Sequence, residues 1–361
     1  MGRFIRRISP MATALAFALA PASGFAQFYK DKTLTLFINY GVGGNADTEA
    51  RVYQRYLSKY IPGNPAVLIQ NAPGAGGINA INLLGLGIGP KPDGYTMSYF
   101  TISATDLMLD NAALKVAVTD FQIVAGARGW NVAYGRKDMA PGMSRPADLG
   151  KAQSVYVGGY ARTSSHDTRL RLSLEVLGVP YKIVTGFPAT AEINKAMLQN
   201  EVNFSGSSLP GYMTQVMPQI INSGVGMPFF QYPVIGPEGK PVGNPNLIRQ
   251  GVPIFDDVYR DVHGKAPSGP KYEALLTMND IGTQLQRGML FPKGAPAEAV
   301  AIMREAVMKV AADPEFRAEY QKVTGELPDL VGGPVLEKLF DRVRNLDPAL
   351  RKVMQDSVDG G

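Results

Sequence analysis

The residues best placed to do chemistry in this 361-residue chain lie in two short runs, Gly41-Val42-Gly43-Gly44-Asn45-Ala46-Asp47 and Tyr160-Ala161-Arg162-Thr163-Ser164-Ser165-His166-Asp167. Each separates a predicted strand from a predicted helix. There the first backbone N–H groups of the helix lack intrahelical partners and the positive end of its dipole faces outward, so an anion can be held without any arginine. The same residues also suit plain capping, with Asn45 or Asp47 for the first helix and Ser164, Ser165 or Asp167 for the second. Singly, each loop reads better as a capped turn; as a matched pair they point to binding of an anion between them. Arg162 either adds a bidentate bond to a carboxylate or stands solvated. Tyr40 and Tyr160, at the ends of the preceding strands, either wall a cleft or pack into the core.

Other chemistries fit less well. Ser165, His166 and Asp167 supply a hydroxyl, a base and an acid. Three consecutive residues on one loop do not point at one another, however, and no strand–G-x-S-x-G–helix elbow surrounds them, so a hydrolase is the lesser reading. His166 is then a first-turn residue that positions the loop. The only other histidine is His263, and neither sits in a ligand-spaced motif such as H-E-x-x-H. There is no cysteine, which excludes disulfides, thiolate metal sites and cysteine nucleophiles together. Gly41-Val42-Gly43-Gly44 has neither the dinucleotide fingerprint spacing nor a Gly-Lys-Ser/Thr ending, and Gly85-Leu86-Gly87-Ile88-Gly89 follows a helix rather than a strand. No cofactor, no metal and no catalytic residue is expected.

The elements that position these runs alternate. Thr33 to Tyr40 reads as a strand, Thr48 to Tyr60 as a helix, Ala66 to Gln70 as a strand, Gly77 to Leu84 as a helix and Tyr95 to Phe100 as a strand. The grammar recurs with a strand at Ser154 to Val157, a helix at Thr168 to Leu177, a strand at Tyr181 to Val184 and a helix at Ala191 to Leu198. This is an α/β chain of parallel sheets covered by helices, in two similar halves with a cleft between them. From about 231 to 282 the Pro, Gly and Asn content predicts irregular chain. A strand at Gly288 to Phe291 and helices at Pro296–Ala311, Pro314–Gln321, Val335–Val343 and Pro348–Val358 follow.

At the start, Arg3, Arg6 and Arg7 precede an apolar run, Met11 to Leu19, and small residues at Gly24 and Ala26. That order predicts a secretory signal over 1–26, cleaved after Ala26, and hence a periplasmic protein. The run is shorter than the ~20 residues of a spanning helix. Thirty-six Lys and Arg stand against 31 Asp and Glu; without the three signal arginines the net charge is +2. No basic stretch alternates with aromatics, so no nucleic-acid partner is expected.

Tyr40 to Arg51 (YGVGGNADTEAR), Ile61 to Pro65 (IPGNP), Gln70 to Gly77 (QNAPGAGG), Pro92 to Tyr95 (PDGY), Val184 to Asn194 (VTGFPATAEIN), Phe291 to Pro296 (FPKGAP) and Asp313 to Phe316 (DPEF), in this order, resemble the substrate-binding receptors of tripartite tricarboxylate transporters, the Bug-type proteins. The resemblance implies a type II periplasmic-binding-protein fold: two α/β lobes joined by crossing hinge strands, closing like a Venus flytrap. Lobe one would be 27–131 plus 238–361, and lobe two 132–237, with Trp130 core-packed near the crossing. By position Tyr40, Gly43, Gly44, Asn45 and Asp47 would serve the ligand from one lobe. Tyr160, Arg162, Thr163, Ser164, Ser165 and His166 would serve it from the other, and Thr101, Ser103, Thr105, Thr185, Gly186 and Ser207 would complete the pocket. The implied solute is a small mono- or dicarboxylate, aromatic acids included. The implied partner is the permease of a tripartite tricarboxylate-type transporter, and the protein itself is expected to be a monomer. A periplasmic sensor feeding a signalling partner is the alternative. Relatives carry a Pro-Gly-Gly-Ser/Thr run where this chain has Val42-Gly43-Gly44-Asn45, and an acidic residue within the strand matching Val202 to Ser207, so a tricarboxylate does not follow from the family name.

Overall fold

The computed structural model describes residues 28–43, 45–109, 111–187, 190–236 and 238–359. The predicted signal, its cleavage point and Gly44 lie outside the described residues. Strand β1 (Thr33–Ile38) is central to a parallel sheet with β2 (Ala66–Asn71) and β3 (Thr96–Ser98) on either side. Its alternate residues Leu34, Leu36 and Ile38 are fully buried on one face, and on the other face Phe37 is buried as well while Thr33 is exposed. Helices α1 (Asn45–Tyr60) and α2 (Ile78–Leu86) follow β1 and β2.

A second sheet runs β14-β5-β13-β4, all antiparallel, from β4 (Phe100–Thr101), β5 (Gln122–Ala127), β13 (Arg287–Phe291) and β14 (Leu330–Gly332). Ser98 stitches the two sheets, its hydroxyl donating to Gly288 O and accepting from Leu290 N, each at 2.9 Å. Helix α3 (Ala104–Met108) leaves β4 toward the rest of the molecule.

The third sheet, order β10-β6-β9-β7-β8, is built from β6 (Asn131–Arg136), β7 (Val155–Gly158), β8 (Tyr181–Val184), β9 (Phe204–Ser208) and β10 (Gly226–Gln231). It carries α4 (Ser165–Leu177) and α5 (Thr190–Leu198). β7 pairs parallel with β8 and β9, whereas β6 runs antiparallel to β9 and β10. β11 (Val234–Ile235) and β12 (Pro241–Val242) form a short antiparallel pair of their own. All-parallel sheets were expected, and two of the three larger sheets depart from that. Only Arg128, Gly129 and Trp130 separate β5 from β6, too few for the helical crossover that forces parallel pairing, so β6 passes from one sheet into another in whichever direction it arrives. Trp130 is 7% exposed and packs in the core of the third sheet.

The stretch predicted to be irregular contains α6 (Pro245–Arg249), α7 (Phe255–His263) and α8 (Pro270–Gln284). The Pro, Asn and Gly residues that suggested loop are helix punctuation. Asn244 caps α6 by accepting from Asn246 N and Leu247 N, Pro245 and Pro270 occupy first-turn positions, and Gly264 ends α7 in the left-handed region. These helices pack toward the third sheet: α8 lies on α4, and α7 on β10 and the turn at Pro146–Lys151. Gln231 joins the same side, donating to Val252 O and accepting from Asn244 N. Helices α9 (Ala297–Ala312), α10 (Pro314–Thr324) and α11 (Gly333–Arg344) cover the first two sheets, while α12 (Pro348–Asp359) reaches back onto α8 and α4. Asp313 caps α10, accepting from Glu315 N and Phe316 N, with Pro314 in the first turn. No helix among the described residues is long and apolar enough to cross a membrane.

Candidate functional site

The first loop is organised by its own carboxylate. Asp47 is 1% exposed; its Oδ2 accepts from Gly43 N and Arg51 Nε, both at 2.9 Å, and its Oδ1 from Asn71 Nδ2 at 3.1 Å. Burial pushes its pKa up, but the bonds from Arg51, Gly43 and Asn71 outweigh it and hold the carboxyl below the usual range. Asp47 therefore shapes the loop rather than facing it outward. Gly43 and Asn45, at the start of α1, are exposed. The Tyr40 hydroxyl donates to Gly76 O at 2.9 Å, which hangs the loop on its neighbour, and burial raises its pKa.

Beside Tyr40, Asn39 clamps the end of β4. It donates to Thr101 O at 2.9 Å and accepts from Thr101 N at 3.0 Å. Thr101 Oγ1 accepts from Arg287 Nη1 at 3.2 Å. Arg287 is in turn ion-paired to buried Glu49 at 2.7 Å, and although burial lowers its pKa, Glu49 reverses the sign. Asn39, Glu49 and Arg287 were not among the predicted site residues. Asn39 carried a signal, a polar residue at the end of an apolar strand; the Glu49–Arg287 pair spans 238 positions and had none.

The second loop is built more tightly. Ser164 caps α4 by accepting from Asp167 N at 3.1 Å. Asp167, fully buried, accepts through Oδ1 from Tyr160 N, the Ser164 hydroxyl and His166 Nδ1 at 2.9–3.0 Å. His166 Nε2 faces Gly206 O at 3.0 Å, so the histidine ties the loop to β9. Its ring lies 4.4 Å from that of Tyr160, whose hydroxyl meets Thr190 Oγ1 at 2.8 Å and whose pKa is raised by burial. The Ser165 hydroxyl is engaged with Ser103 and Thr105, not with His166, which leaves no nucleophile–base pair.

These contacts join the two halves. Ser165 Oγ lies 2.9 Å from Ser103 Oγ and accepts from Thr105 N at 3.0 Å, while the Thr105 hydroxyl donates to Thr163 O at 3.0 Å. The start of α3 and the start of α4 thus meet in a hydroxyl junction, with exposed Thr163 at its edge. Thr185 and Gly186 are also exposed; Gly186 has φ +105° and donates to Tyr160 O at 3.1 Å, a conformation that glycine adopts without strain. Ser207 is buried on β9 and its hydroxyl has no hydrogen-bond partner among the described residues. Arg162 turns away. Its guanidinium donates to Val358 O at 2.9 Å and to Asp359 O on the last turn of α12, while the residue stays exposed.

Among the described residues no group of three or more His, Asp or Glu is placed to hold a metal. A groove of about 1120 Å³ runs between α9 and α11, but its walls, including Ile123, Val300, Met308 and Phe340, contain none of the loop residues.

No protein-family model matches the chain. A Cupriavidus necator protein described as a UPF0065 protein in the gbd 5′ region is 35% identical over 97 residues, which is 26% of this chain and 28% of that protein. Solved structures match along most of the length. A TctC solute-binding protein from Polaromonas superposes with TM-score 0.61 at 18% identity over 91% of this chain and 98% of its own. A Rhodopseudomonas palustris protein with adipate gives 0.63 at 16% over 91% and 97%. MatC from the same organism, with bound malate, gives 0.58 at 18% over 90% and 98%. The fold is therefore the two-lobed α/β fold of TctC-like and Bug-like periplasmic binding proteins.

Proposed function

We propose that the protein is a periplasmic solute receptor that captures a small mono- or dicarboxylate between two lobes and passes it to the permease of a tripartite tricarboxylate-type transporter. The observation that carries this reading is the meeting of two strand–loop–helix units at the hydroxyl junction of Ser103, Thr105 and Ser165. Helix N-termini and hydroxyls converge there, the donors a carboxylate needs. Malate and adipate in the neighbours of like fold support the solute class. We place the lobe boundaries at about 129/130 and 285/286 instead of 131/132 and 237/238, because 244–284 packs with the third sheet. The remaining site residues are Tyr40, Gly43, Asn45, Thr101, Thr163 to His166, Thr185 and Gly186, with Asp47 and Asp167 shaping the loops.

Closure would follow from differential affinity: a solute touching both loops stabilises the closed arrangement by the contacts that only that arrangement offers. The chemistry is binding, since Ser165 and His166 are spent on different partners. A thermal-shift screen of malate, adipate, benzoate and their amides tests the proposal. A carboxylate at 100 times its Kd adds about 2.7 kcal/mol to stability. Amides that stabilise while no acid does would overturn it.

A further inference from the structure

Arg169 lies on α4, one turn beyond Ser165, and is 6% exposed. Among the described residues its guanidinium makes no ion pair and no hydrogen bond, and its Nε is buried without a partner. It stands over the ring of Tyr232, 5.3 Å from the centroid, and burial draws its pKa below the ordinary arginine value. Arginine keeps its charge even so. The contrast with Arg287 is direct, because that equally buried guanidinium is matched by Glu49. Arg171, on the same helix, is also buried without an ion pair among the described residues: its Nη2 donates to Arg162 O and Thr168 Oγ1, while its Nε and Nη1 have no partner.

The surroundings are shaped for this group. A methyl added at Gly282, inside α8, would stand 3.2 Å from Arg169 Nη2 and 3.3 Å from Ala104 Cβ. Glycine is a poorer helix former than alanine, so α8 gives up helix stability where the guanidinium needs room. The next residue, Thr283, has a buried hydroxyl with no partner among the described residues. Ala104 sits between Ser103 and Thr105, the two residues that meet Ser165. Residues i and i+4 share a helix face, and long side chains lean toward the helix N-terminus, so Arg169 leans toward the junction.

We propose that Arg169 is the specificity-determining cation of the site, an unpaired buried charge behind the N-terminus of α4 that a carboxylate neutralises when the lobes close on it. The assignment rests on the carboxylate-receptor reading and deepens it. A buried charge without a partner is unfavourable, and a helix N-terminus adds positive potential of the same sign. Both effects favour an anionic solute over its neutral analogue.

The test uses the full mature chain as wild type, Arg169→Met and Arg169→Lys, titrated with malate, adipate, benzoate and the corresponding amides. A lost charge-assisted bond predicts roughly a 10- to 100-fold loss of carboxylate affinity in R169M. R169K should stay within a few-fold of wild type, and the ligand-free Tm of R169M should be equal to or above wild type. If wild type binds a carboxylate and R169M binds it equally well, Arg169 has no part in recognition although the receptor reading stands. If wild type binds amides and no acid, the receptor reading falls and Arg169 with it. If both variants lose ligand-free stability and binding together, Arg169 is a structural residue and the proposal is overturned.

Discussion

The β1–α1 and β7–α4 loops share a sequence pattern yet solve the charge problem in opposite ways. In the first, Asp47 is matched by Arg51 and the neighbouring Arg287 by Glu49, so the ionised groups around the loop are compensated within the protein. In the second, among the described residues, Asp167 accepts from a backbone amide, a hydroxyl and His166, Arg169 has no ion-pair partner, and Arg162 donates to the last turn of α12. Buried arginines without an ion-pair partner among the described residues, Arg169 and Arg171, thus stand on the α4 side of the junction, beside the equally buried Asp167. On the proposed reading the two loops contribute unequally: one offers shape, the other shape and charge.

The largest expected difference between them is structural. Asp167→Ala strands three donors inside the protein and should cost about 3 kcal/mol, with loss of solute binding. Asp47→Ala also releases three donors, Gly43 N, Arg51 and Asn71 Nδ2, but these are exposed or half-buried and can be solvated, so it should cost about 1 kcal/mol. Urea unfolding of both variants checks the ratio, and equal costs would erase the contrast. Next, Ser165→Ala removes the oxygen that receives Thr105 N. It should weaken carboxylate binding roughly tenfold while changing stability by less than about 1 kcal/mol, read by titration and melting together. Asn45→Asp puts a negative charge on the compensated loop. It should lower carboxylate affinity by a few-fold at low salt, leave amides unaffected and fade as salt rises. An equal loss for amides would show that the residue acts by shape alone.

A separate comparison, read through pH, probes compensation in the first half directly. Glu326 is pushed up to about 8, mainly by burial and by Glu49, with Arg287 pulling the other way. Its acid form is favoured in the folded chain, so between pH ~4.5 and ~8 the folded state binds more protons than the unfolded state and stability falls as pH rises. Glu326→Gln should remove that slope while leaving melting at pH 4 nearly unchanged. Parallel wild-type and variant melting curves from pH 4 to 8 would contradict the assignment.

Much of this was legible in the sequence because it is local. β1, α1 and the cap at Ser164 follow from hydrophobic period and short-range hydrogen bonding, and observed ends differ from predicted ones by a few residues. The helices of 245–284 were missed because Asn244, Pro245, Gly264 and Pro270 carry the same signals whether they end helices or fill loops. Direction of β6 was not legible either, since its partners β9 and β10 lie far along the chain. At the site, the paired loops could be read, but the fates of their charges could not. Arg162 and Arg169 look alike in sequence; what separates them is that α12 supplies carbonyls to one, whereas among the described residues no carboxylate reaches the other.

The most direct measurement is calorimetric titration of the wild-type mature chain with the acid that stabilises it most and with the matching amide. The account predicts that the acid binds at least roughly tenfold more tightly, the difference expected when one charge-assisted bond is replaced by a neutral one. An amide that binds as tightly as the acid would contradict it.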